Sequence, residues 1–117
     1  MSTDSVIKRK SMDFAKRIVR LYQYLVTQQH ENVMSKQILR SGPSIGANIA
    51  EAVYGSSRRD FTAKLQIARK EAAETLYWLE LLNSCEYISD LMFDSMSADC
   101  KELLAMITAS VKTIASQ

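Results

Sequence analysis

The chain has 117 residues, 47% of them apolar and 24% charged, and reads as a single domain over residues 1–117 that buries roughly two-thirds of its unfolded surface. No apolar run approaches the length of a membrane span, and the Lys8, Arg9 and Lys10 cluster has no apolar core behind it, which argues against a secretory signal. Net charge is only +2, yet thirteen of the fifteen Lys and Arg precede residue 71, while eight of the thirteen acids follow residue 70. That polarity suits a polyanion bound by one part or head-to-tail docking of copies, and charge alone does not choose between them.

The apolar periodicity predicts four helices and no strand. The first runs from about Ile7 to Gln28. Phe14, Ile18, Leu21 and Leu25 form one apolar line, with Ala15, Val19, Tyr22 and Val26 beside it, so a wide buried face is expected. Residues 27–32 read as a polar link, and a second helix follows from about Val33 to Tyr54.

The second helix contains RSGPSIGANIAEA, Arg40 to Ala52, with two of the three glycines and the only proline. An interior Gly costs about 1 kcal/mol against Ala and an interior Pro about 3, so these residues need compensation. A kink at Ser41-Gly42 would make Pro43 the first residue of a renewed helix, and close packing would supply the rest. Gly42, Gly46 and Ala50 form a small-residue groove, and Ile45, Ile49 and Val53 an apolar face. Ser44, Asn48 and Glu51 form a polar line. It reads as hydrogen bonding or ion pairing inside a bundle or subunit contact in preference to a ligand site.

Ser57 and Asp60 have the spacing of a capping box that opens the third helix. Phe61, Leu65, Ala68, Ala72, Thr75, Leu79 and Leu82 then recur four and three apart, the period of bundle packing. A second seam of Lys64, Ile67, Glu71, Glu74, Trp78, Leu81 and Cys85 calls for another neighbour, in the same chain or in another subunit. The fourth helix follows a turn at residues 86–90 and uses Phe93, Met96, Cys100, Leu103, Ile107, Val111 and Ile114. Short links favour antiparallel neighbours, so the expected fold is an all-α, up-down-up-down four-helix bundle. Cys85 and Cys100 lie on apolar stripes and read as buried free thiols of a reducing cytosol.

Residues for catalysis are hard to assemble. A carboxylate di-iron site needs Glu-x-x-His pairs, and the chain has one histidine, His30, in a link. Gly42 and Gly46 are not followed by the Lys and Ser or Thr of a phosphate loop, and no nucleophile elbow surrounds a serine. No metal or cofactor is expected. Glu71 and Glu74 read as partners for Lys64, Lys70 or an arginine across an interface, and Trp78 and Tyr77 as packing in the core and at its edge.

The basic residues are better organised. Arg9, Lys10, Lys16, Arg17 and Arg20 share the arc of helix 1 opposite its apolar face, with Tyr24 among them and only Asp13 interrupting. Lys36, Arg40, Arg58 and Arg59 add charge on the second and third helices. Clustered cations neutralise phosphates and a tyrosine stacks on an unpaired base, although a solvated face has the same composition.

RSGPSIGANIAEA, with DFTAKLQIARKEAAETLYWLELL from Asp60 to Leu82 and VIKRKSMDFAKRIVRLYQYL from Val6 to Leu25, resembles the four-helix-bundle proteins of the 23S rRNA intervening-sequence family. The likeness covers nearly the whole chain. It implies a small bacterial cytoplasmic bundle that assembles as a homopentamer and has no enzymatic activity. Related accessory proteins of diversity-generating retroelements form basic pentameric barrels that engage nucleic acid and a reverse transcriptase. Two departures matter: Pro43 stands where many relatives carry Thr, so the helix is also compatible with passing almost straight, and the near-neutral charge differs from the strongly basic retroelement relatives. The resulting expectation is an oligomeric scaffold that binds RNA or DNA through helix 1, the alternative being an oligomeric adaptor for a protein partner.

Overall fold

A computed structural model describes residues 3–115, with side chains from Val6 onward; residues 1, 2, 116 and 117, the ends of the expected unit, lie outside the described residues. Four helices follow in order: α1 (Thr3–Thr27), α2 (Met34–Val53), α3 (Arg58–Ser84) and α4 (Asp90–Ala115). They form an antiparallel bundle in which each packs on its chain neighbours and α4 closes against α1. No helix among the described residues is long and apolar enough to cross a membrane.

The core is built from the predicted stripes. Phe14, Ile18, Leu21 and Leu25 of α1 meet Ile45 and Ile49 of α2, Leu65, Leu79 and Leu82 of α3, and Cys100, Leu103 and Ile107 of α4 in one cluster. The second line of α1 behaves differently. Ala15, Tyr22 and Val26 are half-buried and Val19 is 40% exposed, because this line sits at the edge of the α1–α2 contact.

The proline does not end α2, which runs unbroken from Met34 to Val53 with Pro43 inside it. The expected restart at Pro43 is therefore not what happens. Pro43 has no N–H for the Leu39 carbonyl, and tertiary packing holds the helix through that gap. Gly42 provides the closest approach: a Cβ built there would lie 2.7 Å from Ile18 Cγ1 and 2.9 Å from Cγ2. At Gly46 the nearest atom would be Ser11 Oγ at 3.2 Å. The small-residue groove is a seat for α1.

The helix ends show what the links do. Ser57 caps α3 by accepting from the Asp60 N–H at 3.1 Å, but the Asp60 carboxylate takes the Ser56 hydroxyl at 2.8 Å, so half of the expected box forms. Glu31, read above as part of a polar link, is buried and caps α2. Its carboxylate accepts the N–H groups of Val33 and Met34 at 3.0 Å each and of Ser35 at 2.7 Å. The Ser35 hydroxyl returns a bond to the Glu31 carbonyl at 2.9 Å. Burial pushes the Glu31 carboxyl up, but the three backbone N–H groups and Ser35 outweigh it, so its pKa falls below 4.5. Cys85 also departs from expectation. It is exposed as the residue ending α3, where no neighbour covers the stripe. Cys100 is buried, and desolvation, followed by the nearby Asp99 charge, pushes its thiol up to about 12.

Candidate nucleic-acid interface

The basic arc of α1 divides along its length. On the side facing α4, Lys10 pairs with Glu102 at 2.8 Å, while Arg17 pairs with Asp99 and donates to Ser95 Oγ at 2.8 Å. The charge asymmetry between the halves of the chain is thus partly cancelled inside the bundle, where basic α1 lies beside acidic α4. Arg9, Lys16 and Arg20 take no part in these pairs, although Arg20 also lines a groove toward α4. All three are exposed and have no acidic partner among the described residues. At 1.5 Å rise per residue they form a stripe of roughly 16 Å.

The remaining predicted cations do not join this stripe into one patch. Arg58 and Arg59 are exposed at the start of α3, at the bundle end that also holds the start of α1. That placement follows from Lys8, whose Nζ sits 4.8 Å above the Tyr54 ring just before the α2–α3 link. Lys36 is exposed at the opposite end, in the first turn of α2. Arg40 is committed elsewhere: it reaches Glu71 at 3.2 Å and also pairs with Glu74. The Glu74 hydrogen bond raises the Arg40 pKa further, and the Trp78 indole N–H, then Arg40, hold Glu74 below the ordinary carboxylate range. Arg69 and Lys70, outside the predicted set, are exposed beside a groove with Ala73 and Leu104.

Several of the residues assigned to packing or subunit contact make bonds within this chain. Ser44 Oγ donates to the Arg40 carbonyl at 2.6 Å, and Asn48 Nδ2 to the Ser44 carbonyl at 2.8 Å. Lys64 pairs with Glu51 at 3.4 Å, and Trp78 Nε1 donates to Glu74 at 3.0 Å. The second seam of α3 therefore has α2 as its neighbour, and Arg40 supplies the cation for Glu71 and Glu74 in place of Lys64 or Lys70. Tyr77 lies edge-on to Trp78 with ring centroids 5.1 Å apart, and it is exposed.

Among the described residues, grooves lie on both sides of α1. Toward α2, Met12, Ala15, Pro43, Gly46, Ala47 and Ala50 line an apolar cleft of about 290 Å³ with Lys8 at its rim. Toward α4, Arg17, Arg20, Leu21, Tyr24, Met92 and Met96 line one of about 390 Å³. Tyr24 and the arginines were visible in the helix 1 pattern, but the methionines come from a helix about 70 residues away. Their spacing of one turn, continued by Asp99, was the available signal.

Residues 3–109 match the 23S rRNA-intervening sequence protein family. The chain belongs to this family. Its bundle also superposes on a crystal structure from Bacteroides thetaiotaomicron, a protein with unknown function from the S23 ribosomal protein family. The two are 54% identical with a TM-score of 0.94, the likeness covering 95% of this chain and 99% of that one. No curated protein matches the chain. The family assignment accounts for the three quoted motifs together: the match takes in α1, α2, α3 and most of α4.

Proposed function

We propose that this member of the 23S rRNA-intervening sequence protein family is a non-enzymatic homo-oligomeric scaffold, a pentamer, that binds structured RNA or other nucleic acid in the bacterial cytoplasm. The observation that carries the nucleic-acid reading is the exposed Arg9, Lys16 and Arg20 stripe, left without acidic partners while Lys10 and Arg17 beside it are neutralised. Three cations give one subunit a weak, salt-sensitive hold on phosphates, and repetition around a ring multiplies it. The oligomer is supported by the apolar surface along α1 and α2, where Met12 of the apolar cleft is 58% exposed and Tyr54, under the Lys8 ammonium, is 78% exposed.

A salt titration of RNA binding tests the reading. Each phosphate contact adds about 0.7 to 0.9 to the slope of log affinity against log salt. Charge reversal at Arg9, Lys16 and Arg20 is expected to flatten that slope and weaken binding at low salt. No binding by the native protein at low salt, or a slope indifferent to the three reversals, contradicts it. The same apolar cleft favours a second reading, an adaptor for a protein partner with no nucleic-acid role. A single protein recovered after nuclease treatment, together with failure of the salt titration, supports that alternative.

A further inference from the structure

The α1–α4 groove brings together an apolar wall, two arginines and an aromatic ring, whereas the groove of Arg69 and Lys70 has no aromatic residue in its lining. Leu21, Met92 and Met96 give it an apolar wall, and Arg17 and Arg20 stand at the same cavity of about 390 Å³. The two arginines have different commitments. Arg17 is held by Asp99 and Ser95, whereas Arg20 is exposed with no partner among the described residues. Tyr24 completes the lining, and its hydroxyl is fixed by a 2.6 Å bond from Gln29 Nε2. The cleft toward α2, by contrast, has only Ala, Gly, Pro, Met and Ser walls with Lys8, and its lining includes no aromatic ring.

A nucleotide taken out of its stack has the same two-part chemistry: a flat base with an apolar face, and a charged phosphate a short distance from it. Aromatic and thioether groups accept such a face without regard to sequence, and arginine binds the phosphate through paired N–H donors. A base inside a duplex cannot present that face, because its neighbours cover it. We infer that the groove receives one unstacked nucleotide from a looped or single-stranded segment of RNA, its base against Tyr24, Leu21 and the methionines and its phosphate at Arg20. This rests on the nucleic-acid reading above and adds the class of RNA recognised. Arg17 is a positioning residue here: its bonds to α4 hold the two walls together.

The test compares two RNAs of equal phosphate number, a hairpin with an unpaired loop and a blunt duplex, against the native protein and Tyr24→Leu. The loop carries a fluorescent adenine analogue. The expected result is tighter binding of the hairpin, quenching of the analogue, and a loss of about tenfold or more in hairpin affinity in Tyr24→Leu, with duplex affinity unchanged. Equal binding of both RNAs, unaffected by Tyr24→Leu but weakened by reversal at Lys16 and Arg20, overturns the pocket and leaves the scaffold reading standing. No binding of either RNA at low salt overturns both. Because Tyr24 is half-buried, photocrosslinking of a loop uridine analogue to the native protein gives a second readout independent of folding. A crosslink on Tyr24, Met92 or Met96 supports the pocket, and crosslinks confined to other residues overturn it.

Discussion

Replacing Gly42 by Ala tests whether the glycines of α2 are present for helix packing. Helix propensity alone favours the change, by about 1 kcal/mol. The packing opposes it. The new methyl group would meet Ile18 Cγ1 at 2.7 Å and Cγ2 at 2.9 Å, and Ile18 is fully buried and stiff at its branched Cβ, itself 3.2 Å away. Relieving such an overlap in a packed core costs roughly 1–3 kcal/mol, so Gly42→Ala should destabilise by about 1 kcal/mol net. At Gly46 the nearest atom, Ser11 Oγ at 3.2 Å, belongs to a small side chain, and Gly46→Ala should stay within about 0.5 kcal/mol of the native protein. Urea unfolding followed by circular dichroism, at one fixed protein concentration, separates the two. A thermal midpoint lowered by roughly 3–6 °C for Gly42→Ala alone is the equivalent result. In an Ile18→Ala background, which removes both clashing atoms, the same substitution should become stabilising. If Gly42→Ala raises stability in the native background by the amount propensity gives, the close-approach argument fails.

Three further outcomes follow from the geometry. The Glu31 cap stabilises the fold fully above the ordinary carboxylate pKa of 4.5, and that contribution is lost as pH falls through the lower value of the folded state. Glu31→Gln should therefore be about 1 kcal/mol less stable than the native protein at neutral pH, with the gap closing in acid; a constant gap across pH denies the charge a role. Thr75→Val removes the buried 2.9 Å bond between the Thr75 and Ser41 hydroxyls and should cost about 1–3 kcal/mol, whereas Ser41→Ala with Thr75→Val should cost less than Thr75→Val alone. A thiol-reactive disulfide reagent should label exposed Cys85 in the native protein and reach buried Cys100 only in denaturant, and rapid native labelling of both would contradict the packing of α4.

The apolar stripes were legible because a helix repeats its faces locally. Leu65, Ala68, Ala72, Thr75, Leu79 and Leu82 are buried as their spacing predicts, and so are Ile45 and Ile49. The Ser57 cap was legible for the same reason, its partner lying three residues away. What escaped notice depends on distant residues. Lys10 and Arg17 look identical to Arg9 and Lys16 on a helical wheel until Glu102 and Asp99 are placed beside them, 92 and 82 residues further along. Val19 and Ile18 are both aliphatic, and only the position of α2 decides that one is 40% exposed and the other fully buried. Glu31 was missed because a carboxylate in a polar link usually faces water, and only the turn of the chain there aims it at three backbone N–H groups.

The claim that a ring of subunits presents the α1 stripe to RNA is tested most directly by the mass of the particle in solution, measured with and without a structured RNA. The account predicts a species of five times the 13.2 kDa chain mass that takes up RNA at low salt, and loses it, without dissociating, when Arg9, Lys16 and Arg20 are reversed. A protein that remains a monomer in both conditions, or an oligomer that never takes up RNA, contradicts it.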